Sequence, residues 1–294
     1  MFHCDGFMDF IFSQLLNSLV LGMLLFMMSA GLSLIFGLMN VVNLAHGSFF
    51  MIGSFTAFTL AQWSGSFWFA LAVGWVPAVA AAVIMERVFI RPLYSRNHLD
   101  QVLLTFGFIF VFGDICKYFW GPEIRNIAPP ELLEGAITVA GIVLPKYRLF
   151  LVLFGATIAV LLWLFLERSR IGAMVRAGVD DAATASGIGI NVPFLFGCIF
   201  ALGAALAAIG GIVAGPILGT YLGMDIEILI PAFIVTVVGG MGSLRGALVA
   251  GLLVGAIDTF GKAYFPDYAL FLIYLLMVVV LLTRPQGLFG VAKG

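Results

Sequence analysis

Long apolar runs separated by short polar loops dominate this chain. A helix needs about 20 apolar residues to cross a hydrocarbon core about 30 Å thick, and nine runs approach or reach that length. The pattern therefore predicts an all-α, polytopic transmembrane helical bundle of about 8–9 spans. The predicted segments are Phe10–Phe36, Val41–Gln62, Phe67–Glu86, Gln101–Phe119, Leu149–Leu166, Pro193–Gly215, Ile226–Val238, Gly246–Phe260 and Tyr268–Leu282.

The seventh run is short, about 20 Å as a helix, so it either crosses the membrane or re-enters from one side. Charge placement favours a true crossing, because it puts most cations on one face, which the positive-inside tendency makes cytosolic. The N-terminus is then outside and the C-terminus cytosolic. The cations on the cytosolic face are Arg87, Arg91, Arg96, Arg168, Arg170, Arg176, Arg245, Arg284 and Lys293.

Composition supports a membrane protein. The 294 residues are 63% hydrophobic and 10% charged, whereas soluble domains are about 45–50% apolar and about 25% charged. The net charge of −1 and the lack of a basic patch argue against nucleic acid as a partner and leave membrane lipid. Cys4, Cys116 and Cys198 have no spacing typical of disulfides or metal sites.

The whole chain, residues 1–294, is predicted to be a single transmembrane domain with two longer loops. The external loop at about 121–146 contains four prolines and is too short for a domain of its own. The cytosolic loop at about 167–191 begins with three arginines. Asp180 and Asp181 then precede a run of small residues that ends at Gly187, a pattern typical of a capped helix. This helix either docks onto a soluble partner or is an ordinary solvated connector.

Small residues recur every four positions along the sixth predicted segment. Such a stripe allows two helix backbones to approach closely in lipid. Pro216 removes an amide donor near its end, which predicts a kink or an unwinding. Either this is a structural kink in a helix–helix contact, or residues 214–221, including Tyr221, line a substrate pathway. The stripe comprises Gly203, Ala207, Gly211, Gly215 and Gly219.

Polar residues also occur where the second predicted span begins, at Asn40, Asn43 and His46, followed by Gly47. In a membrane these side chains cost free energy unless they are paired or hydrated. They either satisfy the backbone of a broken helix that lines the pathway or lie at the membrane interface. A metal site at His46 is not expected, because His3 and His98 are not at ligand spacing.

Two acidic residues near the outer ends of predicted spans have a basic residue at helical spacing. Asp114 precedes Lys117, and Asp258 precedes Lys262. We expect both to be structural ion pairs. No nucleotide-binding G-x-x-x-x-G-K-[ST] loop and no catalytic motif is present in the sequence. We therefore predict that the chain is not an enzyme, has no catalytic residues and holds no cofactor or metal.

Four blocks of the sequence resemble the permease subunits of branched-chain amino acid ABC importers, in particular the smaller, LivH-like type. They are GLSLIFGLMNVVNLAHGSFFMIGSF, ERVFIRPL, RIGAMVRAGVDDAATASGIGINV and VVGGMGSLRGALVAGLLVG. The resemblance extends from about residue 17 to residue 287. It implies a bacterial or archaeal cytoplasmic membrane protein with four kinds of partner or ligand: a related second permease, two cytosolic ATPases that hydrolyse ATP, an extracytoplasmic binding protein and the transported solute.

The same resemblance implies that the capped cytosolic helix is the segment that docks into the ATPase. On this sequence it corresponds to Asp180, Asp181, Ala182, Ala183, Ser186 and Gly187. The family often has Glu-Asp or Asp-Pro and a leucine where Asp-Asp and Ser186 occur here, so the shape of the partner groove stays open. The expected function is half of a translocation pathway for branched-chain amino acids. The alternatives are an importer of urea or short-chain amides and a stand-alone secondary transporter or channel.

Overall fold

The computed structural model describes residues 2–94, 96–139, 142–180 and 182–290, and these ranges are almost entirely helical. The α-helices are α1 (Phe2–Met39), α2 (His46–Ser64), α3 (Phe67–Val73), α4 (Val76–Met85), α5 (His98–Trp120), α6 (Lys146–Arg168), α7 (Arg170–Asp180), α8 (Ala182–Gly187), α9 (Val192–Leu218), α10 (Met224–Gly239), α11 (Leu244–Tyr264) and α12 (Ala269–Thr283). A π-helix, Glu86–Ile90, and a 3-10 turn, Arg91–Leu93, follow α4. Further 3-10 turns span Glu131–Leu133 and Pro266–Tyr268.

Seven segments of the described chain are helical, long and apolar enough to cross a membrane, which confirms the all-α, multi-pass class. One of them combines α3 and α4 into a single segment, and the other six are α1, α5, α6, α9, α11 and α12. The other two predicted segments form α2, of 19 residues, and α10, of 16 residues. The count of 8–9 spans therefore stays a prediction that depends on how α2 and α10 sit in the membrane.

The centre of the bundle is formed by α1, α2, α9, α10 and α11, which pack on one another. In the membrane-length part of α1, 78% of the residues are buried inside the protein, compared with 17% for α6 and for α12. Helices α5, α6 and α12 therefore form the rim and turn apolar side chains outward, as a lipid-facing surface requires.

Glycine allows the central helices to touch backbone to backbone. A Cβ atom placed on Gly211 of α9 would lie 2.0 Å from the carbonyl oxygen of Phe50 in α2. On Gly53 of α2 it would lie 2.4 Å from the carbonyl oxygen of Ala208. The predicted small-residue stripe is thus a helix–helix contact over most of its length, because packing replaces the hydrophobic drive that helices lack in lipid.

The end of this stripe differs in detail from the expected kink. Helix α9 continues through Pro216 to Leu218, and the chain leaves the helix at Gly219, whose φ of 75° is in the left-handed region that favours glycine. Residues 219–223 are then non-helical until α10 begins at Met224.

The loop at residues 121–146, predicted to be external, covers this end of the bundle. Arg125 and Thr220 form an antiparallel bridge with two backbone hydrogen bonds of 2.8 Å. Ile127 is buried against Gly215. Later in the loop, β1 (Ala136–Val139) pairs with β2 (Ile142–Pro145) as an antiparallel hairpin. The described part of this loop is thus folded against the bundle.

The opposite end of α10 is fixed by the segment that follows α12. Leu288 and Phe289 donate their amide hydrogens to the carbonyl oxygens of Val238 and Gly239, at 2.8 and 3.0 Å. These carbonyls belong to the last turn of α10, which has no partner within its own helix. A Cβ atom on Gly246 of α11 would also lie 2.0 Å from the oxygen of Gly239. This end of α10 is therefore locked from two sides.

We predict that Gly211→Ala lowers the free energy of unfolding by roughly 1–3 kcal/mol, because the new methyl group overpacks the contact with α2. The matched control is Gly107→Ala in α5, where a Cβ atom meets nothing within 4 Å. The control should be neutral or slightly stabilising. Thermal unfolding of the two purified variants in the same detergent measures the difference. Equal melting temperatures would show that α2 and α9 are not in backbone contact.

Candidate functional site

A non-helical stretch, residues 40–45, joins α1 to α2. Asn40 has a φ of 52°, and its Nδ2 lies 3.3 Å from Nε2 of His98, the first residue of α5. Four residues later, the amide of Leu44 donates to Oγ1 of Thr105 at 3.2 Å. His98 and Thr105 are separated by about 10 Å along α5. The stretch therefore runs back into the bundle, and α2 begins well inside it.

Two polar side chains at this break are fully buried. His46 Nε2 lies 3.2 Å from the carbonyl oxygen of Met28, and its Nδ1 has no partner within the described chain. Both amide atoms of Asn43 also lack a hydrogen-bond partner among the described residues. Buried polar atoms are nearly always paired, and an unpaired group costs free energy. The site therefore retains unused hydrogen-bonding capacity.

A second non-helical stretch, residues 219–223, joins α9 to α10 and follows α2 from the opposite end. The Oγ1 of Thr220 lies 2.5 Å from Oγ of Ser54. Further along, Ser48 donates through Oγ to the Oδ2 atom of Asp225 at 3.1 Å. Ser54 and Ser48 are separated by about 9 Å along α2. Helix α10 therefore also begins inside the bundle.

The first turns of α2 and α10 meet at this depth. A Cβ atom on Gly47 would lie 2.2 Å from the carbonyl oxygen of Asp225, so only glycine permits the contact. Helix N-termini carry partial positive charge. The carboxyl of Asp225, whose residue is only 4% exposed, lies in the first turn of α10 and is held by a hydroxyl in the first turn of α2. The carboxyl of Asp225 thus lies at the positive N-terminal ends of both α2 and α10.

The structure divides the predicted pathway residues into three places. Asn43, His46 and Gly47 lie at or just before the start of α2, where Gly47 contacts the backbone of Asp225 and the imidazole of His46 faces Met28 of α1. Asn40 lies near His98 at the start of α5. Gly215, Pro216 and Tyr221 lie towards the loop at residues 121–146. There Gly215 is buried, Pro216 and Tyr221 are partly exposed, and Tyr221 donates to Glu227.

Sequence reasoning missed Asp225. The available signal was an acid inside an apolar segment, directly after a glycine-rich stretch. Of the two acids that were singled out, Asp258 pairs with Lys262 at 2.7 Å as predicted. Within the described residues, Asp114 forms no ion pair with Lys117.

The segment at residues 167–191, predicted to be a cytosolic loop, contains two helices where one was predicted. The strongly amphipathic α7 (Arg170–Asp180) precedes α8 (Ala182–Gly187), and Arg176 donates to the carbonyl oxygen of Leu166. Of the predicted docking residues, Ser186 and Gly187 are exposed. Asp181 lies outside the described residues, as do the side chains of Asp180, Ala182 and Ala183.

A buried acid also connects the arginine-rich loop after α4 to the start of α9. Glu86, the first residue of the π-helix, is 2% exposed and accepts a 2.6 Å hydrogen bond from the hydroxyl of Tyr94. Burial, reinforced by this bond to Glu86, raises the pKa of Tyr94 well above its usual value, so the phenol stays a donor. The ring of Tyr94 packs edge-on against Phe196, soon after α8. In the sequence, residues 86–93 were singled out only for their resemblance to the permease family.

Comparisons with known proteins agree on one family. The family model described as "Branched-chain amino acid transport system / permease component" matches residues 14–281. The permease protein BraD of Pseudomonas aeruginosa is 32% identical over 94% of this chain and 95% of its own length. LivH of Escherichia coli K12 is 29% identical over 94% of both chains. LivM of the same strain is 26% identical over 93% of this chain and 69% of its own length. All three are described as high-affinity branched-chain amino acid transport permeases.

Within the described residues, no group of three or more His, Cys, Asp or Glu side chains is placed to hold a metal ion. Near the starts of α2 and α10 the described side chains offer hydrogen-bonding groups and one acid, including Ser48, His46 and Asp225.

We predict that Ser54→Cys with Thr220→Cys forms a disulfide readily, in a background without Cys4, Cys116 and Cys198. The two hydroxyl oxygens are 2.5 Å apart, which brings the new sulfur atoms within bonding reach. Protease cleavage between the two positions, followed by electrophoresis with and without reductant, measures the link. The control pair, Ser64→Cys with Thr220→Cys, starts from the far end of α2 and should not link. Failure of the first pair would contradict the placement of the second break against α2.

Proposed function

The chain belongs to the branched-chain amino acid permease family, and on that premise we propose that it forms half of the membrane pathway of an ATP-driven importer. Its relatives are membrane permease components and not enzymes, which confirms the expectation from sequence. Likeness to both LivH and LivM indicates that a pair of related permeases builds the pathway. The proposed partners also include two cytosolic ATPases, which hydrolyse the ATP, and an extracytoplasmic binding protein.

The observation that carries the proposal is the meeting of two interrupted helices at a buried acid. Irregular backbone at membrane depth is tolerated where it is buried in protein or lines a cavity. In transporters such half-helices form the substrate site. We propose that the pathway passes this meeting point, with Asn43, His46 and Gly47 beside Asp225. Gly215, Pro216 and Tyr221 then line its outer part, and Asn40 lines its inner part.

Asp225 also favours one class of solute over another. Within the described residues its carboxyl forms no ion pair with a basic side chain. An amino acid carries an ammonium group that can pair with this carboxyl, and a carboxylate that suits a helix N-terminus. Urea and short neutral amides carry neither charge. The site therefore supports branched-chain amino acids over urea or amides, and the apolar side chains around it suit their aliphatic groups.

The cytosolic end supplies the proposed coupling to ATP hydrolysis. Helix α8 is short, small-faced and exposed at Ser186 and Gly187, which suits insertion into a groove of the ATPase. We propose that Asp180, Asp181, Ala182 and Ala183 complete the docking surface. Helix α9 begins five residues after α8 ends, so movement of α8 passes directly to the helix that carries the second break.

We propose that α8 lies in the cytosol of a bacterial or archaeal cell, with the N-terminus of the chain outside and the C-terminus cytosolic. The second candidate function is a stand-alone secondary transporter, which the buried carboxyl of Asp225 favours because such acids relay protons in pumps. Uptake that persists without ATP and stops when the ion gradient collapses would support that candidate. Uptake that depends on ATP would support the ATP-driven importer.

We predict that replacing residues 180–186 with a Gly/Ser linker of equal length abolishes co-purification of the ATPases, because the linker removes the docking helix. Insertion of the permease into the membrane should be unchanged. The control replaces residues 131–137 of the external loop with the same linker. ATPases that still co-purify with the first variant would refute the coupling assignment.

We predict that Asp225→Asn lowers leucine uptake by at least about tenfold, because a buried charge partner is worth about 2–5 kcal/mol. ATPase co-purification should persist, which separates this effect from misfolding. The control is Asp267→Asn, an exposed acid in the turn before α12. Uptake by reconstituted vesicles measures both. Uptake at the wild-type rate by Asp225→Asn would show that the carboxyl of Asp225 does not bind the ammonium group of the solute.

A further inference from the structure

A groove on the outside of the bundle is lined by none of the predicted pathway residues. Helices α6 and α11 both pack on α1, and the space between them has a volume of about 220 Å³. Phe26 of α1 forms its floor, with Val160 and Trp163 on one wall and Leu248 on the other. The lining is apolar except at one end, where Arg245 of α11 borders it.

Arg245 is placed where it does not help its own helix. It lies in the first turn of α11, directly after the capping residue Ser243 and Leu244. A cation there is repelled by the positive end of the helix dipole. Its side chain is exposed and forms no hydrogen bond or ion pair within the part of the chain that the structure describes. Arg245 therefore presents an unpaired positive charge at the mouth of an apolar groove.

We propose that this groove binds an anionic phospholipid of the leaflet at that end of the bundle. The phosphate would lie against Arg245 and the first turn of α11, and one acyl chain would lie in the groove over Phe26. Basic pockets between transmembrane helices bind anionic headgroups in this way. Trp163 suits the same boundary, because tryptophan is enriched at the membrane interface.

Two features favour a lipid over other occupants. A free phosphate would use only the charged end and leave the apolar groove exposed. A second permease that shares the proposed pathway would contact the helices that carry its residues, α2, α9 and α10, and none of these helices lines the groove. An acyl chain attached to an anionic headgroup uses both parts of the site at once.

The test compares phosphatidylglycerol with phosphatidylcholine, added at equal concentration to the purified full-length permease in detergent. Lipid retention by native mass spectrometry and the melting temperature are the readouts. We expect phosphatidylglycerol to be retained more strongly and to raise the melting temperature more. Arg245→Gln should weaken phosphatidylglycerol retention roughly fivefold, the effect of one arginine near an anionic surface. Arg284→Gln, an exposed arginine outside the groove, should leave it unchanged.

Ala159→Trp fills the apolar part of the groove and should reduce retention of both lipids. Equal retention of the two lipids by the wild type, or unchanged retention by Arg245→Gln, would overturn the proposal. Stabilisation by inorganic phosphate alone to the level of phosphatidylglycerol would overturn it as well. Loss of the second permease from the complex in Ala159→Trp would identify the groove as a subunit contact and also overturn it.

Discussion

Backbone-to-backbone contact between glycine-faced helices is the constraint on which the rest of this structure depends. Gly211 against Phe50, and Gly53 against Ala208, bring α9 and α2 closer than any larger side chain allows. Apolar side chains give little drive for helix association in lipid, so close packing must supply it. This contact also holds α2 rigidly along α9, and the two interrupted stretches are positioned against α2.

These helix contacts explain how the carboxyl of Asp225 is tolerated inside the protein. An isolated carboxyl inside a membrane protein is costly, but Asp225 lies where two positive helix ends meet and a serine hydroxyl donates to it. Gly47 makes the meeting possible, because any side chain there would collide with the backbone of Asp225. In the proposed function, stability and solute recognition draw on the same groups, because a solute that pairs with Asp225 would compete with the hydroxyl of Ser48.

Sequence reasoning recovered the helical class, the segment positions and the small-residue stripe, because these depend on local hydrophobicity and spacing. For Asn43, His46 and Gly47 it left two interpretations open, a break in a helix and the membrane interface. It missed Asp225 because nothing local to that residue shows that α10 begins inside the bundle, opposite α2. It missed α7 because arginines and glycines obscure the apolar face of a short helix. The position of Asp225 depends on contacts with residues far from it in the chain.

Helix α10 is held more firmly at one end than at the other. Its Gly239 end is clamped by the amides of Leu288 and Phe289 and by Gly246, whereas its Asp225 end is joined to α2 through the hydroxyl of one serine. A 16-residue helix is about 24 Å long, so a swing of about 5° displaces the free tip by roughly 2 Å. A rotation that small separates the two half-helices while leaving the clamped end undisturbed.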